Sequence, residues 1–94
     1  MNTKKAPYSG TEHFNYEPIF LAIIKSQPTT HKNGCEQIGL SHTHWLRVRS
    51  GKHEGMGTQT HSKFMRWVAA NKHLLTNSKD QQTLKEFHDK FGEQ

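Results

Sequence analysis

The chain has 94 residues, of which 31% are hydrophobic, and it carries 13 Lys and Arg residues against 8 Asp and Glu residues, for a net charge of +5. This length favours one domain with a thin core, which self-association would stabilise. The positive charge favours an anionic partner, with nucleic acid the first candidate and an acidic membrane surface the second. One cysteine excludes an internal disulfide and the longest apolar run, residues 19–24, is too short to span a bilayer, so we expect a cytoplasmic protein.

The N-terminal segment and the first helix are separated by a change of pattern. Residues 1–16 are polar without an apolar period, and we predict a flexible arm there. Ordered structure is predicted to begin with a helix at Glu17 and Pro18, since proline suits the first turn of a helix. This first helix is predicted to end near Gln27, because Pro28 disfavours helical geometry at the residue before it. The apolar stripe of this helix, at i, i+1, i+4 and i+5, consists of Ile19, Phe20, Ile23 and Ile24.

Two short helices are predicted next, on either side of Gly39. Thr29 or Thr30 can cap the first and Ser41 the second, because each hydroxyl can accept a hydrogen bond from a free backbone N–H group. The second of these helices is predicted to reach about Ser50.

Two further helices complete the predicted fold. One covers about residues 59–74, with Thr58 or Thr60 as its cap, and the other starts at Ser78, which has capping-box spacing with Gln81. The apolar residues on one face are Phe64, Trp67, Val68 and Leu75 in the fourth helix, and Leu84, Phe87 and Phe91, at i, i+3 and i+7, in the fifth. No segment is typical of a strand, so the predicted class is all-α, a compact bundle of about five short helices.

Residues 30–50 meet the requirements of a helix-turn-helix, in which two helices pack at a steep angle over a short turn. Cys35 supplies a small side chain where the helices touch, and Gly39 tolerates the positive φ of the turn. The residues predicted to face inward around the turn are Ile38, Leu40, Trp45 and Val48. We therefore predict a helix-turn-helix domain over residues 17–76, followed by a C-terminal helix within residues 77–94.

This segment resembles the lambda-repressor-like helix-turn-helix family, the Cro/CI class of phage and bacterial regulators. Ile-Gly-Leu-Ser at residues 38–41 is similar to the family's turn, and residues 47–52 are similar to the end of its recognition helix. The helix order also matches, with one helix before the motif and two after it. Gly34 departs from the family, which usually has an apolar residue there, and the bulky Trp45 is expected to fill the space. The lambda CII activator branch is a weaker likeness.

The resemblance implies a transcriptional regulator, such as a repressor, of a phage or other mobile element. Such a protein binds double-stranded DNA at a symmetric or repeated site, as a homodimer or a higher even oligomer. Two alternatives remain: an excisionase-like or replication accessory DNA-binding protein, and an antitoxin-like module that docks a protein.

Helical geometry, at about 100° per residue, assigns roles around the second helix of the motif. Trp45 and Val48 point to the core, so the opposite face is the one offered to the major groove. The predicted base-contacting residues on or beside that face are His42, Thr43, Leu46, Arg47 and Ser50. Arg47 is the best base reader, because its guanidinium can bind O6 and N7 of guanine together. The predicted phosphate-contacting residues are His31, Lys32, Arg49 and Lys52.

Other chemistry is not predicted. Acidic residues are scattered, so we expect no enzyme activity, no cofactor and no small-molecule substrate. The sequence has eight histidines, but side chains two apart on a helix, such as His42 and His44, diverge by about 200° and do not share a metal ion.

Self-association is predicted to involve the fifth helix. Its stripe of Leu84, Phe87 and Phe91 is apolar, and a thin core could leave such a stripe exposed in a monomer. Packing of the same stripe within its own chain is the alternative.

Overall fold

Five α-helices form the part of the chain that the structure, a computed structural model, describes, which is residues 14–52 and 55–91. In chain order they are α1 (Glu17–Ser26), α2 (His31–Ile38), α3 (His42–Val48), α4 (Thr58–Asn71), which continues as a 3-10 turn (Lys72–Leu74), and α5 (Ser78–Phe91). No strand occurs within these residues. The predicted all-α class is therefore confirmed.

Helix α1 lies against most of the bundle. Its predicted stripe is buried, and so is Ala22. The Phe20 ring lies 4.2 Å from the Trp45 ring and 5.4 Å from the Trp67 ring, centroid to centroid, so one α1 side chain joins α3 and α4. Burying a side chain of this size stabilises the fold by roughly 1.5–3 kcal/mol.

Gly34 lies where α2 crosses α1. A Cβ atom at this position would be 2.3 Å from Ile24 Cδ1 and 3.1 Å from Phe20 Cζ. The α1 side chains therefore occupy the space beside Gly34. The expectation that Trp45 would fill this space is wrong, because the three heavy atoms nearest to it belong to Ile24 and Phe20.

The segment before α1 is part of the folded core. Tyr16 is fully buried, and its N–H group donates to the Arg49 carbonyl at 2.8 Å. Phe14 packs on the core with its ring 4.8 Å from that of Phe91. Gly51 has a φ of +73°, and a Cβ atom there would lie 2.5 Å from the Phe14 carbonyl oxygen.

The predicted flexible arm was therefore extended too far. An apolar period cannot reveal the packing of Phe14 and Tyr16, because they pack individually and not as a helix face. The remainder of the predicted arm, residues 1–13, lies outside the described residues.

Helix α5 packs against α1, and its apolar stripe faces the chain's own core. Leu84 is 9% exposed and Phe87 1% exposed, while the half-buried Phe91 packs against the same core cluster. The stripe predicted for self-association is thus used within the chain, as in the alternative interpretation. The physical reason is the aromatic cluster around Tyr16, which gives Phe87 and Phe91 partners. Of the segment 77–94, residues 92–94 lie outside the described residues.

Two predicted caps are wrong by a residue or more. Helix α4 has Gly57 at its N-cap without a side-chain hydrogen bond, so neither Thr58 nor Thr60 caps it. At the start of α5 it is Asn77 that caps, since its Oδ1 accepts from Asp80 N at 2.8 Å and its Nδ2 donates to Asp80 Oδ2 at 3.0 Å. Asn is as good an N-cap as Ser, so capping by Asn77 in place of Ser78 does not make the helix less stable.

Candidate nucleic-acid interface

The connection between α2 and α3 is a three-residue turn built on Gly39. This glycine has a φ of +90°, in the left-handed region that favours glycine. Its N–H group donates to the Glu36 carbonyl at 3.1 Å, and Leu40 N–H donates to the Cys35 carbonyl at 2.9 Å. These two bonds form a Schellman motif, which satisfies the last carbonyls of α2 and redirects the chain.

Both helices of this pair are capped at the start by the predicted hydroxyls. Thr30 accepts from Asn33 N and Ser41 accepts from His44 N, each at 3.1 Å. Of the two threonines that the sequence left open for α2, Thr30 is therefore the cap. Each such bond stabilises a helix by about 1 kcal/mol, which matters for helices of eight and seven residues.

The inner face of α3 is fixed by aromatic packing. Trp45 and Val48 are buried, and so are Ile38 and Leu40, as predicted. The Trp45 ring is stacked at 11° to the Phe64 ring of α4, with 6.1 Å between centroids. Helix α3 is consequently held at two sides, by α1 through Phe20 and by α4 through Phe64.

The outer face of α3 brings four of the predicted base-contacting residues together in solvent. His42, Thr43, Leu46 and Arg47 are all exposed. Leu46 is 48% exposed and is the one exposed large hydrophobic side chain in the described part of the chain. A single exposed leucine is ordinary on a protein surface, so Leu46 is a candidate contact residue because it shares this face with His42, Thr43 and Arg47.

Ser50 does not join this face. Helix α3 ends at Val48, two residues before the predicted end, and Ser50 is half-buried in the turn that follows. Its Oγ accepts a hydrogen bond from Lys52 N at 3.4 Å, so the hydroxyl is engaged with the backbone.

The predicted phosphate-contacting residues are divided by their surroundings. His31 and Lys32 are exposed in the first turn of α2, and Lys52 is exposed after α3. Arg49 is different, because its Nε lies 3.7 Å from Glu17 Oε2, and the two side chains are 44% and 35% exposed. Glu17 thus places a carboxylate beside one of the predicted cations, at the first residue of α1.

The charge of the α2–α4 region is strongly positive. Between residues 31 and 71 the sequence has two acidic side chains, Glu36 and Glu54. Over the same stretch the cationic side chains of Lys and Arg are Lys32, Arg47, Arg49, Lys52, Lys63 and Arg66. This imbalance favours a polyanionic partner for the region.

Two of these cations, Lys63 and Arg66, were not singled out by the sequence. The apolar period of α4 predicts only its inner face, whereas these two residues lie three apart on its exposed face. Their i, i+3 spacing is a signal that could have indicated a second cationic surface.

Cys35 is a packing residue in this arrangement. Its side chain lies on the buried face of α2, and burial raises the pKa of the Cys35 thiol to about 11. The thiol is therefore neutral near pH 7, whereas thiolate chemistry and metal ligation need the ionised form.

Metal-ligand clusters and membrane-spanning helices are both absent from residues 14–52 and 55–91. There, no three His, Cys, Asp or Glu side chains are grouped as ligands of one ion. In the same part of the chain no helix has the length and apolar character needed to cross a membrane.

A scan against protein-family models finds no match to the chain, and searches of curated proteins and of solved structures find none.

Proposed function

We propose that the protein is a cytoplasmic, sequence-specific regulator of transcription that binds double-stranded DNA through α2 and α3, with α2–turn–α3 acting as a helix-turn-helix. The observation that carries this proposal is the outer face of α3, where His42, Thr43, Leu46 and Arg47 are exposed together. A recognition helix needs one face anchored in the core and the other free to enter the major groove.

The exposed side chains suit base edges. The Arg47 guanidinium can bind O6 and N7 of guanine, Leu46 and the Thr43 methyl can contact the methyl group of thymine, and His42 can donate to a purine acceptor. Lys32 and Lys52, exposed before and after this face, suit the flanking phosphates, which orient a protein without specifying sequence.

The likeness to Cro/CI-type regulators extends the proposal to assembly and to biological setting. One recognition helix reads only a few base pairs, so a single copy buries too little surface to select one genomic site. We therefore propose that two copies, or a higher even number, bind half-sites related by symmetry or repetition, in the control region of a phage or mobile element. Because Leu84 and Phe87 are buried in the chain's own core, the pairing surface lies elsewhere.

Leu46 also favours a second candidate function, docking of a protein. A leucine 48% exposed at the centre of α3 could be buried against a partner as in an antitoxin-like module. In that case the surrounding cations would contact acidic side chains in place of phosphates.

Selection from a library of random duplexes with the purified full-length chain tests the proposal. We expect a short motif to be enriched, and footprinting of the selected duplexes to show protected half-sites about one helical turn apart. Arg47→Ala, selected in parallel, is expected to lose preference at one base pair of the motif. If the wild-type chain enriches no motif and binds heparin as well as duplex DNA, sequence-specific binding is wrong and protein docking is the better hypothesis.

A further inference from the structure

Lys63 of α4 extends over the turn that precedes α3. A Cβ atom on Gly39 would lie 3.6 Å from Lys63 Cδ and 3.8 Å from Lys63 Nζ. The lysine side chain therefore lies across the backbone of a glycine, and the ammonium group reaches the residues that lead into α3. Ser41, the N-cap of α3, follows Gly39 by two residues.

Lys63 places its charge on the exposed face of α4, at the rim of a hollow beside α2. Lys63 is exposed, makes no ion pair with an acidic side chain of the described residues, and is followed one turn later by the exposed Arg66. Both cations line a shallow hollow between α2 and α4, whose other lining residues are Gln37, Ile38, Trp67 and Ala70. The hollow's floor is closed, since Trp67 Nε1 donates to Gln37 Oε1 at 2.9 Å and Ile38 and Trp67 are buried.

We infer that Lys63 is a further phosphate-contacting residue, which binds the DNA backbone beside the N-terminal end of α3. This inference rests on the proposed function. Lys52 follows the C-terminal end of α3, so the two lysines flank the helix at its opposite ends. A helix in the major groove has a phosphate backbone on each side, and a cation beyond each end of the helix can reach one backbone.

A second role for Lys63 must be distinguished by the experiment. The ammonium group also lies near the C-terminal end of α2, where a positive charge interacts favourably with the helix dipole. A lysine that served only this role would contribute to folding and not to DNA binding. The two roles differ in the quantity that each changes: the salt dependence of binding, or the thermal midpoint of unfolding.

Lys63→Gln tests the inference, because glutamine removes the charge and keeps a flexible polar side chain. The matched control is Lys79→Gln, the same change at an exposed lysine in the first turn of α5. Binding to a fluorescent mixed-sequence duplex is measured by anisotropy at several salt concentrations, with thermal unfolding followed by circular dichroism. We expect Lys63→Gln to lower the slope of log affinity against log salt by about 0.9 for each bound subunit, and Lys79→Gln to leave the slope unchanged.

Three results would overturn the inference. If Lys63→Gln keeps the wild-type slope while the wild-type chain binds the duplex, the inference is wrong and the proposed function stands. An unchanged slope with a lower midpoint assigns Lys63 to the dipole of α2. If the wild-type chain does not bind the duplex at all, the proposed function and the inference fail together.

Discussion

Helices α3 and α5 are both amphipathic and both lie at the surface of the bundle, but they use their side chains in opposite ways. The Leu84–Phe91 stripe of α5 is covered by its own chain, and the outward charges of this helix balance, with three lysines against Asp80, Glu86 and Asp89. Helix α3 covers Trp45 and Val48 but leaves Leu46 exposed, and it carries no acidic residue.

The difference shows that an apolar period alone does not distinguish a helix that completes a core from one that offers a surface. Helix α5 contributes apolar area with electrically neutral surroundings, as expected of a helix whose role is packing. Helix α3 combines an exposed apolar side chain with an exposed arginine and contains no acidic residue, as expected of a helix that binds a polyanion.

The largest effect is expected from Phe87→Ala. Phe87 is 1% exposed, and truncating a buried phenylalanine costs about 3–5 kcal/mol in the free energy of unfolding. Leu46→Ala is the matched change on α3, and because Leu46 is exposed it should alter that free energy by less than about 0.5 kcal/mol while weakening DNA binding. Urea unfolding followed by circular dichroism gives both values.

The contrary result would restore the self-association role of α5. If the Phe87→Ala chain kept the stability of the wild type but became smaller in sedimentation, the stripe would be a contact between copies and not part of the core.

The features that the sequence predicted correctly are those that depend on neighbouring residues. The Thr30 and Ser41 caps and the Gly39 turn are set by hydrogen bonds within five residues of chain, so the types and spacing of residues are enough to identify them. The inner faces of α1 and α4 follow from helical periodicity for the same reason.

The features that the sequence missed depend on contacts between distant segments. Tyr16 is buried because the end of α3 accepts its N–H group and α5 supplies aromatic rings, and neither partner is visible from the polar sequence around it. The ion pair of Glu17 and Arg49 joins residues that are 32 positions apart in sequence. At the candidate site, the four exposed residues of α3 were predictable from helical geometry, while Ser50 was not, because the helix ends early.

Arg47→Ala is expected to have the next largest effect, on binding and not on folding. Loss of a bidentate contact with guanine should weaken binding to the selected site by about 1–3 kcal/mol and relax the preference at one base pair. Lys32→Ala removes a charge in the first turn of α2 and should weaken all duplexes by similar factors. Equilibrium titrations on the selected duplex and on a scrambled duplex separate the two patterns. If both variants weakened both duplexes equally, Arg47 would be a phosphate contact and the groove-facing side of α3 would be assigned wrongly.

A smaller effect, on the pH dependence of the free energy of unfolding, is expected from the buried thiol of Cys35 in α2. Burial raises the pKa of its thiol from 9.0 to about 11 in the folded chain. The contribution of the neutral thiol to stability is therefore fully present below pH 9 and is lost as the pH rises from 9 to about 11. At pH 10 this loss is about 1 kcal/mol relative to pH 8.

The variant Cys35→Ala removes this titration. Unfolding free energies of the wild type and the variant are measured from pH 8 to pH 11. The value for the wild type should fall by that amount relative to the value for the variant between pH 8 and pH 10, because all other groups titrate in both chains. Parallel curves for the two chains would mean that the thiol is accessible to water in the folded state.

The smallest expected effect on DNA binding comes from breaking one of two ion pairs, of which one lies beside α3 and the other on α5. Arg49 Nε lies 3.7 Å from Glu17 Oε2 beside α3, and Lys85 Nζ lies 2.9 Å from Asp89 Oδ2 on α5. Glu17→Gln and Asp89→Asn each raise the net charge by one. A half-exposed pair such as that of Glu17 contributes less than about 1 kcal/mol to folding, so both variants should stay folded.

Their effects on DNA binding should nevertheless differ. Glu17→Gln removes a carboxylate that competes with phosphate for Arg49, so we expect tighter binding to any duplex and a salt slope steeper by up to about 0.9 for each subunit. Asp89→Asn should leave both quantities unchanged, because α5 lies outside the proposed contact surface. Anisotropy titrations at several salt concentrations measure both variants on one mixed-sequence duplex. Equal strengthening by the two variants would mean that net charge alone governs binding, and α3 would then have no electrostatic distinction from α5.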